Sequence, residues 1–230
     1  MSAAVPPSPP RAARRIPLWL KWAYTAFCLV LVPYYWHAYG PTNFLYFCDV
    51  AVFFALGAVW LESPLLASMP AVGILLPQSL WMVDLLAEVV GLRLTGMTAY
   101  MFDERIPLFT RGLSLFHFWL PILLAWLVWR LGYDRRALPA WTLLAMGLIL
   151  VCYLFIPAPP APPENPLLPV NINYVYGFSA THPQTWLPQN AYVMLLMAVL
   201  VFGVFVPTHF VLACLFGGAR PARRVSEGLP

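Results

Sequence analysis

A cysteine and a histidine near the starts of two apolar segments are the residues of this chain best suited to covalent chemistry. Cys48 follows the aromatic run 44–47, and His117 lies in the run 113–121. A thiol beside an imidazole is the minimum set for acyl transfer, because the imidazole takes the thiol proton and the thiolate then attacks a carbonyl carbon. The acyl group passes from the sulfur to a second acceptor. The pair therefore predicts an acyltransferase or a hydrolase.

Two carboxylates and an arginine accompany this pair. Asp49 follows Cys48 directly, and on a helix its side chain is expected to point about 100° away from that of Cys48. Asp84 is therefore the better candidate to orient His117 or to form an ion pair with Arg111. A purely structural pair with an arginine or a tyrosine is an equal alternative for both carboxylates, because ionisable groups inside membrane spans usually pair with one another.

Amide and phenol side chains complete the predicted site. Asn171 and Asn173 belong to a loop before the last apolar segment, and their amide groups could donate hydrogen bonds to an oxyanion. Tyr174 follows them, and Gln78 lies inside the third apolar segment. All four are predicted to line a polar pocket.

Each candidate also has a structural interpretation. Cys48 can be a small apolar side chain packed in a helix, and His117 can hydrogen-bond a neighbouring helix. The sequence has no HxxxH or ExxH pattern, and its four cysteines (Cys28, Cys48, Cys152 and Cys214) form no CxxC pair. We therefore predict neither a metal nor another cofactor.

The composition places these residues in a membrane protein. Of the 230 residues, 61% are hydrophobic and 10% are charged, and the mean hydropathy is +0.74. A soluble domain has about 45–50% apolar and about 25% charged residues, so this chain has too little polar surface to face water. Its net charge of +4 comes from residues between or at the ends of apolar runs. That distribution is typical of topology signals and does not fit a nucleic-acid-binding face.

Six segments are long and apolar enough to cross about 30 Å of hydrocarbon. They are residues 17–36, 44–61, 64–86, 112–129, 138–156 and 191–216. The third contains Pro70, Pro77 and Asp84, and it is expected to be kinked or partly re-entrant. The sequence thus predicts an all-α membrane protein, a bundle of six transmembrane helices within residues 16–217.

Basic residues set the orientation of this bundle. Ten of the 13 Lys and Arg residues fall on one side of the predicted membrane. They are Arg11, Arg14, Arg15, Lys21, Arg130, Arg135, Arg136, Arg220, Arg223 and Arg224. Arg93, Arg105 and Arg111 fall on the opposite side. By the positive-inside rule, both termini are predicted to be cytoplasmic.

The segments outside the spans have distinct compositions. Residues 1–15 are rich in Pro and Ala and are expected to be disordered, and residues 218–230 form a basic C-terminal tail. Residues 157–190 begin with PAPPAPPENP, which favours a stiff polyproline-like conformation. They continue with aromatic residues suited to the membrane interface, and so predict an outer cap loop. Residues 91–111 are predicted to form an ordered outer loop.

Most polar side chains inside the predicted spans fall in the outer half of the membrane. At about 1.5 Å per residue, Cys48 and Asp49 lie roughly 6–8 Å below the outer boundary, and His117 lies about two turns below it. We therefore predict a polar pocket in the outer leaflet of a cell membrane, of bacterial cytoplasmic type, in contact with membrane lipids. It would serve a lipid acyltransferase or hydrolase, or a non-enzymatic protein that binds a lipid or a partner there. The substrate and the oligomeric state stay open.

Three short motifs resemble the YwaF-like integral membrane family, which includes a eukaryotic ether-phospholipid acyltransferase. Residues 44–50 (FLYFCDV) are similar to a leucine-rich segment that ends in Cys-Asp at the start of a span. Residues 113–117 (LSLFH), followed by a basic turn at 132–136 (GYDRR), are similar to the family's histidine-bearing span. Residues 173–176 (NYVY) resemble its loop before the last span.

The resemblance covers residues 40–215 and carries expectations about the site. It implies that Cys48 carries the acyl group and that His117 is its base. The family usually has a histidine two positions before the cysteine, where this chain has Tyr46.

Overall fold

The computed structural model describes residues 16–165, 168–179 and 181–216. Every regular element among them is helical, which confirms the all-α prediction. The helices are α1 (Leu18–Tyr39), α2 (Phe47–Leu61), α3 (Pro64–Val89), α4 (Leu108–Ser114), α5 (Phe116–Leu131), α6 (Ala137–Phe155), α7 (Gln189–Ala198) and α8 (Val206–Phe216). Short 3-10 turns cover Pro41–Leu45, Ala99–Phe102 and Ile172–Tyr174. The expectations for residues 1–15 and 218–230 lie outside the described residues.

Four helical segments are long and apolar enough to cross a membrane. They are Pro64–Val89, Leu108–Leu131, Ala137–Phe155 and Gln189–Phe216. These segments support the prediction of a multi-pass membrane protein. Helix α2 is apolar but has only 15 residues. Helix α1 has 22 residues, but its tyrosines, its tryptophans and Lys21 make it less apolar.

Helix α3 runs without interruption through its two internal prolines. It has 26 residues and extends for about 39 Å at 1.5 Å per residue. Ser63 begins it as the N-cap, with its hydroxyl accepting a hydrogen bond from Leu66 N at 3.4 Å, and Pro64 occupies the first turn, where its missing N–H costs nothing. The expectation of a re-entrant segment around Pro70 and Pro77 is therefore wrong, because the backbone forms one continuous helix.

Two other segments change geometry along their length. The segment predicted at residues 112–129 begins earlier and is divided at Leu115 into α4 and α5. Between α7 and α8, residues Val199–Phe205 form a π-helical stretch. Pro207 lies just beyond this stretch and has no N–H to donate to the preceding turn. The wider turn relieves the clash between its ring and the carbonyl group of that turn.

Helix α3 lies in the middle of the bundle, where it packs against α2, α5 and α6. Residues 67–74 of this helix are buried on all sides, and small residues among them allow close approach of neighbouring helices. Gly73 is the clearest case, because the Trp141 ring of α6 occupies the space where a Cβ would be, with ring atoms 1.9 Å from the ideal position. Trp141 is fully buried and also contacts Phe47 and Phe54 of α2.

A buried ion pair joins the start of α1 to the end of α2. Lys21 is 5% exposed, and its Nζ lies 2.8 Å from Glu62 Oε1 and 3.4 Å from the Trp60 carbonyl oxygen. Ile16 N donates to the same carboxylate at 3.4 Å. Lys21, expected at a membrane boundary, is therefore a structural cation that fixes two helix ends together.

Replacing Gly73 with alanine is expected to force α3 and α6 apart. Overpacking of this kind typically costs about 1–3 kcal/mol, so the thermal unfolding midpoint of the detergent-solubilised protein, followed by tryptophan fluorescence, should fall by several degrees. The matched control is Gly147→Ala in α6, where an added Cβ meets no heavy atom within 4 Å. That variant is expected to keep or slightly raise the midpoint. Equal midpoints for the two variants would contradict the close packing.

Candidate functional site

Polar and aromatic side chains from five helices meet at the end of the bundle that carries the loop 157–188. We call this end the cap end. The helices α1 to α5 contribute Tyr35, Asp49, Trp81, Ser114 and His117 in that order. Cys48 of α2, Asn43 and Tyr46 before α2, and Tyr100 of the loop between α3 and α4 complete what we call the cap-end cluster.

Cys48 and Asp49 lie against each other at the start of α2. The Cys48 thiol is 4.0 Å from Asp49 Oδ2, and the carboxylate is 3% exposed. Asn43 Nδ2 donates to the same oxygen at 3.2 Å. The other oxygen, Oδ1, is buried and has no hydrogen-bond partner among the described residues. Although successive side chains of a helix diverge by about 100°, the Asp49 carboxylate still lies 4.0 Å from the sulfur.

The His117 ring is fixed by a hydrogen bond to the preceding helix turn and by stacking on a tryptophan ring. Its Nδ1 lies 2.8 Å from the Ser114 carbonyl oxygen, which requires a proton on Nδ1 and leaves Nε2 of the neutral ring as an acceptor. The ring stacks on Trp81 with centroids 5.2 Å apart and planes 27° apart. Within the part of the chain that the structure describes, no hydrogen bond joins His117 to Cys48.

Hydroxyl side chains lie near each of these two residues. The Tyr35 hydroxyl lies 3.0 Å from Ser114 Oγ, and its phenol interacts electrostatically with Asp49. Tyr100 comes from the loop above. Burial raises the pKa of its phenol, the nearby Ser114 hydroxyl partly opposes this, and the neighbouring Cys48 raises it further. The cluster is therefore continuous from the thiol to the imidazole.

Asp84 forms its hydrogen bonds with the loop that follows α3. Its carboxylate accepts hydrogen bonds from Thr95 N at 2.7 Å, Thr98 N at 3.0 Å and Thr98 Oγ1 at 2.9 Å. It therefore ties the loop 91–107 to the end of α3. The expectation that Asp84 orients His117 is wrong, because both carboxylate oxygens are used by this loop.

Arg111 does not pair with Asp84. Its Nη1 donates to the Met101 carbonyl oxygen at 3.1 Å, and no carboxylate oxygen of the described residues lies within 4.0 Å of its guanidinium. Its Nε is buried and has no partner there. Gln78, one turn before Trp81 on α3, is 6% exposed, and its Oε1 is likewise buried without a partner.

The side chains of the two cap-loop asparagines form hydrogen bonds with backbone groups and are not available to an oxyanion. Asn173 Oδ1 accepts from Phe47 N at 3.1 Å, and its Nδ2 donates to the Leu45 carbonyl oxygen at 2.9 Å and lies 3.6 Å from Cys152 Sγ. It thereby satisfies one of the free N–H groups at the start of α2. Asn171 Oδ1 accepts from Tyr176 N, while its Nδ2 donates to two loop carbonyl groups. Neither amide keeps a free N–H for an oxyanion.

Tyr174 has an unusual backbone conformation. Asn171, Asn173 and Tyr174 have φ values of 51°, 56° and 62°, in the left-handed region that asparagine tolerates better than tyrosine. The Tyr174 carbonyl oxygen accepts from the Tyr192 hydroxyl at 3.0 Å, and its ring is 41% exposed beside Phe178. The turn is therefore fixed by surrounding bonds while the Tyr174 ring stays accessible.

Several residues of the cap-end cluster escape prediction from the sequence. Tyr35, Asn43, Trp81, Tyr100 and Ser114 all contribute to it. Tyrosines and tryptophans are common throughout the apolar segments, so composition does not distinguish Tyr35, Trp81 and Tyr100 as members of the cluster. One signal was present: Ser114 stands one turn before His117 on the predicted span, a spacing at which two residues share a helix face.

The chain matches no family model, no curated protein and no solved structure. The resemblance to the YwaF-like family therefore stays an expectation. Among the residues that the structure describes, no group of three or more His, Cys, Asp and Glu side chains could hold a metal ion.

Proposed function

We propose that all six apolar segments span a cell membrane, with both termini in the cytoplasm. Helix α1 has 22 residues, or about 33 Å, and the 15 residues of α2 are extended by the turn Pro41–Leu45. The Lys21–Glu62 pair supports an antiparallel arrangement of α1 and α2, which successive spans require. Exposed apolar side chains such as Leu143 of α6 and Phe210 of α8 suit a lipid-facing surface.

Reporter fusions test this topology. Alkaline phosphatase, which is active only outside the cytoplasm, should be inactive when fused to the C-terminus and active when inserted at Glu104 or at Glu164. A fluorescent protein that folds only in the cytoplasm should give the opposite pattern at the C-terminus. Phosphatase activity at both the C-terminus and Glu104 would contradict the proposal.

We further propose that the cap-end cluster is a pocket that binds a membrane lipid. The observation that carries this proposal is the convergence of polar side chains from five helices at one end of an otherwise apolar bundle. Polar groups inside a membrane bundle are costly, and they are found chiefly where they serve packing or a ligand. Asp84, Asn171 and Asn173 serve packing, whereas the cluster around Cys48 and His117 retains unused bonding capacity.

Two half-buried residues, His117 of the cluster and Arg111 of the same α4–α5 segment, suggest which groups of a lipid would bind. The Nε2 atom of His117 can accept a hydrogen bond from a lipid hydroxyl, and Nε of Arg111 can donate one to a phosphate or an ester oxygen. An acyl chain would lie along the apolar helices below. A phospholipid or a lysophospholipid supplies all three features in one molecule.

Native mass spectrometry of protein extracted in mild detergent tests the pocket. His117→Phe keeps a ring to stack on Trp81 but removes the Nε2 acceptor, and it is expected to lower lipid occupancy by about tenfold, as for the loss of one hydrogen bond worth ~1.4 kcal/mol. His37→Phe, at an exposed position on α1, is the matched control and should keep the occupancy of the unmodified protein. Equal occupancy in both variants would remove His117 from the lipid site.

A second candidate function is acyl transfer through Cys48. The specific observation in its favour is the thiol 4.0 Å from the Asp49 carboxylate. In this reaction the thiol proton passes to Asp49, the sulfur bonds to the ester carbonyl carbon, and the ester C–O bond breaks so that the lipid alcohol leaves with the proton. A second alcohol or water then attacks the thioester carbonyl carbon, the C–S bond breaks, and the proton of this acceptor passes to the sulfur, which restores the Cys48 thiol. His117 would act through the substrate or a water molecule, since among the described residues no hydrogen bond joins it to the thiol.

A thiol-directed acyl probe distinguishes this reaction from simple lipid binding. Acyl transfer predicts that the probe labels Cys48 and that Cys48→Ala reduces total labelling at least tenfold. Cys152→Ala is the control, because Cys152 is fully buried beside Asn173. Labelling that persists in Cys48→Ala and falls in Cys152→Ala would exclude Cys48 as the acyl carrier.

A further inference from the structure

The turn between α5 and α6 carries an arginine whose charge is not neutralised by a carboxylate. Asp134 and Arg136 form a bidentate pair, with Arg136 Nη2 2.7 Å from Oδ2 and Nε 3.1 Å from Oδ1, so both oxygens of this carboxylate are used. Arg135 is exposed. Among the residues that the structure describes, no carboxylate oxygen lies within 4.0 Å of its guanidinium. The turn therefore presents its net positive charge at Arg135.

Two hydrogen bonds fix this turn between two helices. Asp134 N donates to Ser68 Oγ of α3 at 3.0 Å, and the Tyr133 hydroxyl lies 2.6 Å from His209 Nδ1 of α8. Tyr133 is only 8% exposed, so the bond that joins the turn to α8 lies inside the protein. The backbone that carries Arg135 is therefore held in place while its side chain is exposed.

The bond to α8 also brings an imidazole close to this arginine. Arg135 interacts electrostatically with both the Tyr133 phenol and the His209 ring. Because the bond to Tyr133 uses Nδ1, Nε2 is the ring atom that can donate a hydrogen bond to an anion. Guanidinium and imidazole N–H groups that lie together are donors well suited to phosphate oxygens.

The surroundings of the turn are those of a membrane surface. The turn joins Leu108–Leu131 to Ala137–Phe155, two of the four segments that are long and apolar enough to cross a membrane. Phe210 and Val211 follow His209 on α8 and are 61% and 56% exposed. A cation beside an exposed apolar helix face matches the two parts of a phospholipid, a charged headgroup and its acyl chains.

We propose that Arg135 and His209, between the α5–α6 turn and α8, bind the phosphate of an anionic phospholipid. The uncompensated positive charge favours this lipid class over a zwitterionic one, and the exposed side chains of α8 contact the acyl chains. The site lies at the other end of α5 from His117 and is separate from the lipid pocket proposed there. It rests on the turn lying at a membrane surface and is independent of which side of the membrane that surface faces.

Native mass spectrometry of the full chain in mild detergent tests this site. Phosphatidylglycerol and phosphatidylcholine with identical acyl chains are added in equal amounts, and the unmodified protein should bind more of the former. Arg135→Gln should lower the ratio of the two bound lipids about fivefold, the effect of one arginine near a membrane surface. Arg135→Lys retains the charge and should keep the preference. Arg105→Gln, which alters an exposed ion pair with Asp103 in another loop, is the control and should leave the ratio unchanged.

A further variant distinguishes a site of defined geometry from general attraction to charge. Tyr133→Phe leaves every charge in place but removes the hydroxyl that joins the turn to α8, so it should also lower the ratio. Inorganic phosphate added in excess should leave the lipid bound, because the acyl chains contribute to its binding and phosphate has none.

Four results would overturn the proposal. The first two are equal binding of the two lipids by the unmodified protein and equal ratios in Arg135→Gln and Arg105→Gln. The third is an unchanged ratio in Tyr133→Phe, which would exclude a site between the turn and α8. The fourth is displacement of the lipid by inorganic phosphate, which would indicate a site for a free anion. His117→Phe changes the total lipid bound, whereas Arg135→Gln changes the ratio, so failure of this site and failure of the cap-end pocket are distinguishable.

Discussion

Hydrocarbon offers no hydrogen bonds, and this constraint governs where each polar group of the bundle can lie. A helix satisfies its own backbone except at its ends, so the ends and the buried side chains must find partners inside the protein. The start of α1 and the end of α2 do so through Lys21 and Glu62. The start of α2 does so through Asn173, which comes from a loop 126 residues further along the chain.

The same rule separates the supporting residues from the candidate site. Asp84, Asn171 and Asn173 have a partner for each oxygen or for each amide hydrogen. Asp84 and Asn173 fix a loop against a helix end, and Asn171 holds the cap loop in its turn. Asp49 and Gln78 are as deeply buried, yet each has an oxygen for which residues 16–165, 168–179 and 181–216 offer no hydrogen-bond partner. Such groups are rare in native proteins, and one of them, Asp49, lies beside the Cys48 thiol. The unsatisfied oxygens therefore separate Asp49 and Gln78 from the residues that only support the fold.

The sequence predicts the apolar helices well because their length and hydropathy are local properties. It also places polar residues correctly near one end of the bundle, since 1.5 Å per residue converts position into depth. It fails where the answer depends on a partner distant in the chain. The role of Asp84 is set by Thr95 and Thr98, whose backbone N–H groups carry no sequence signal. The close packing of Trp141 against Gly73 likewise joins residues 68 positions apart in the chain.

The rigidity of the cap end follows from these distant bonds and bears on how a ligand would reach it. Asn173 and Asp84 hold the loops on two sides of the cluster, so neither loop can open without breaking two or three hydrogen bonds. Between them, Cys48, His117 and Tyr100 are only partly buried. For the lipid proposed above, such fixed walls would mean that binding needs no ordering step, so the free energy of its contacts would not be spent on closing a lid. In such a pocket, affinity depends directly on the few polar atoms that the fold leaves unpaired.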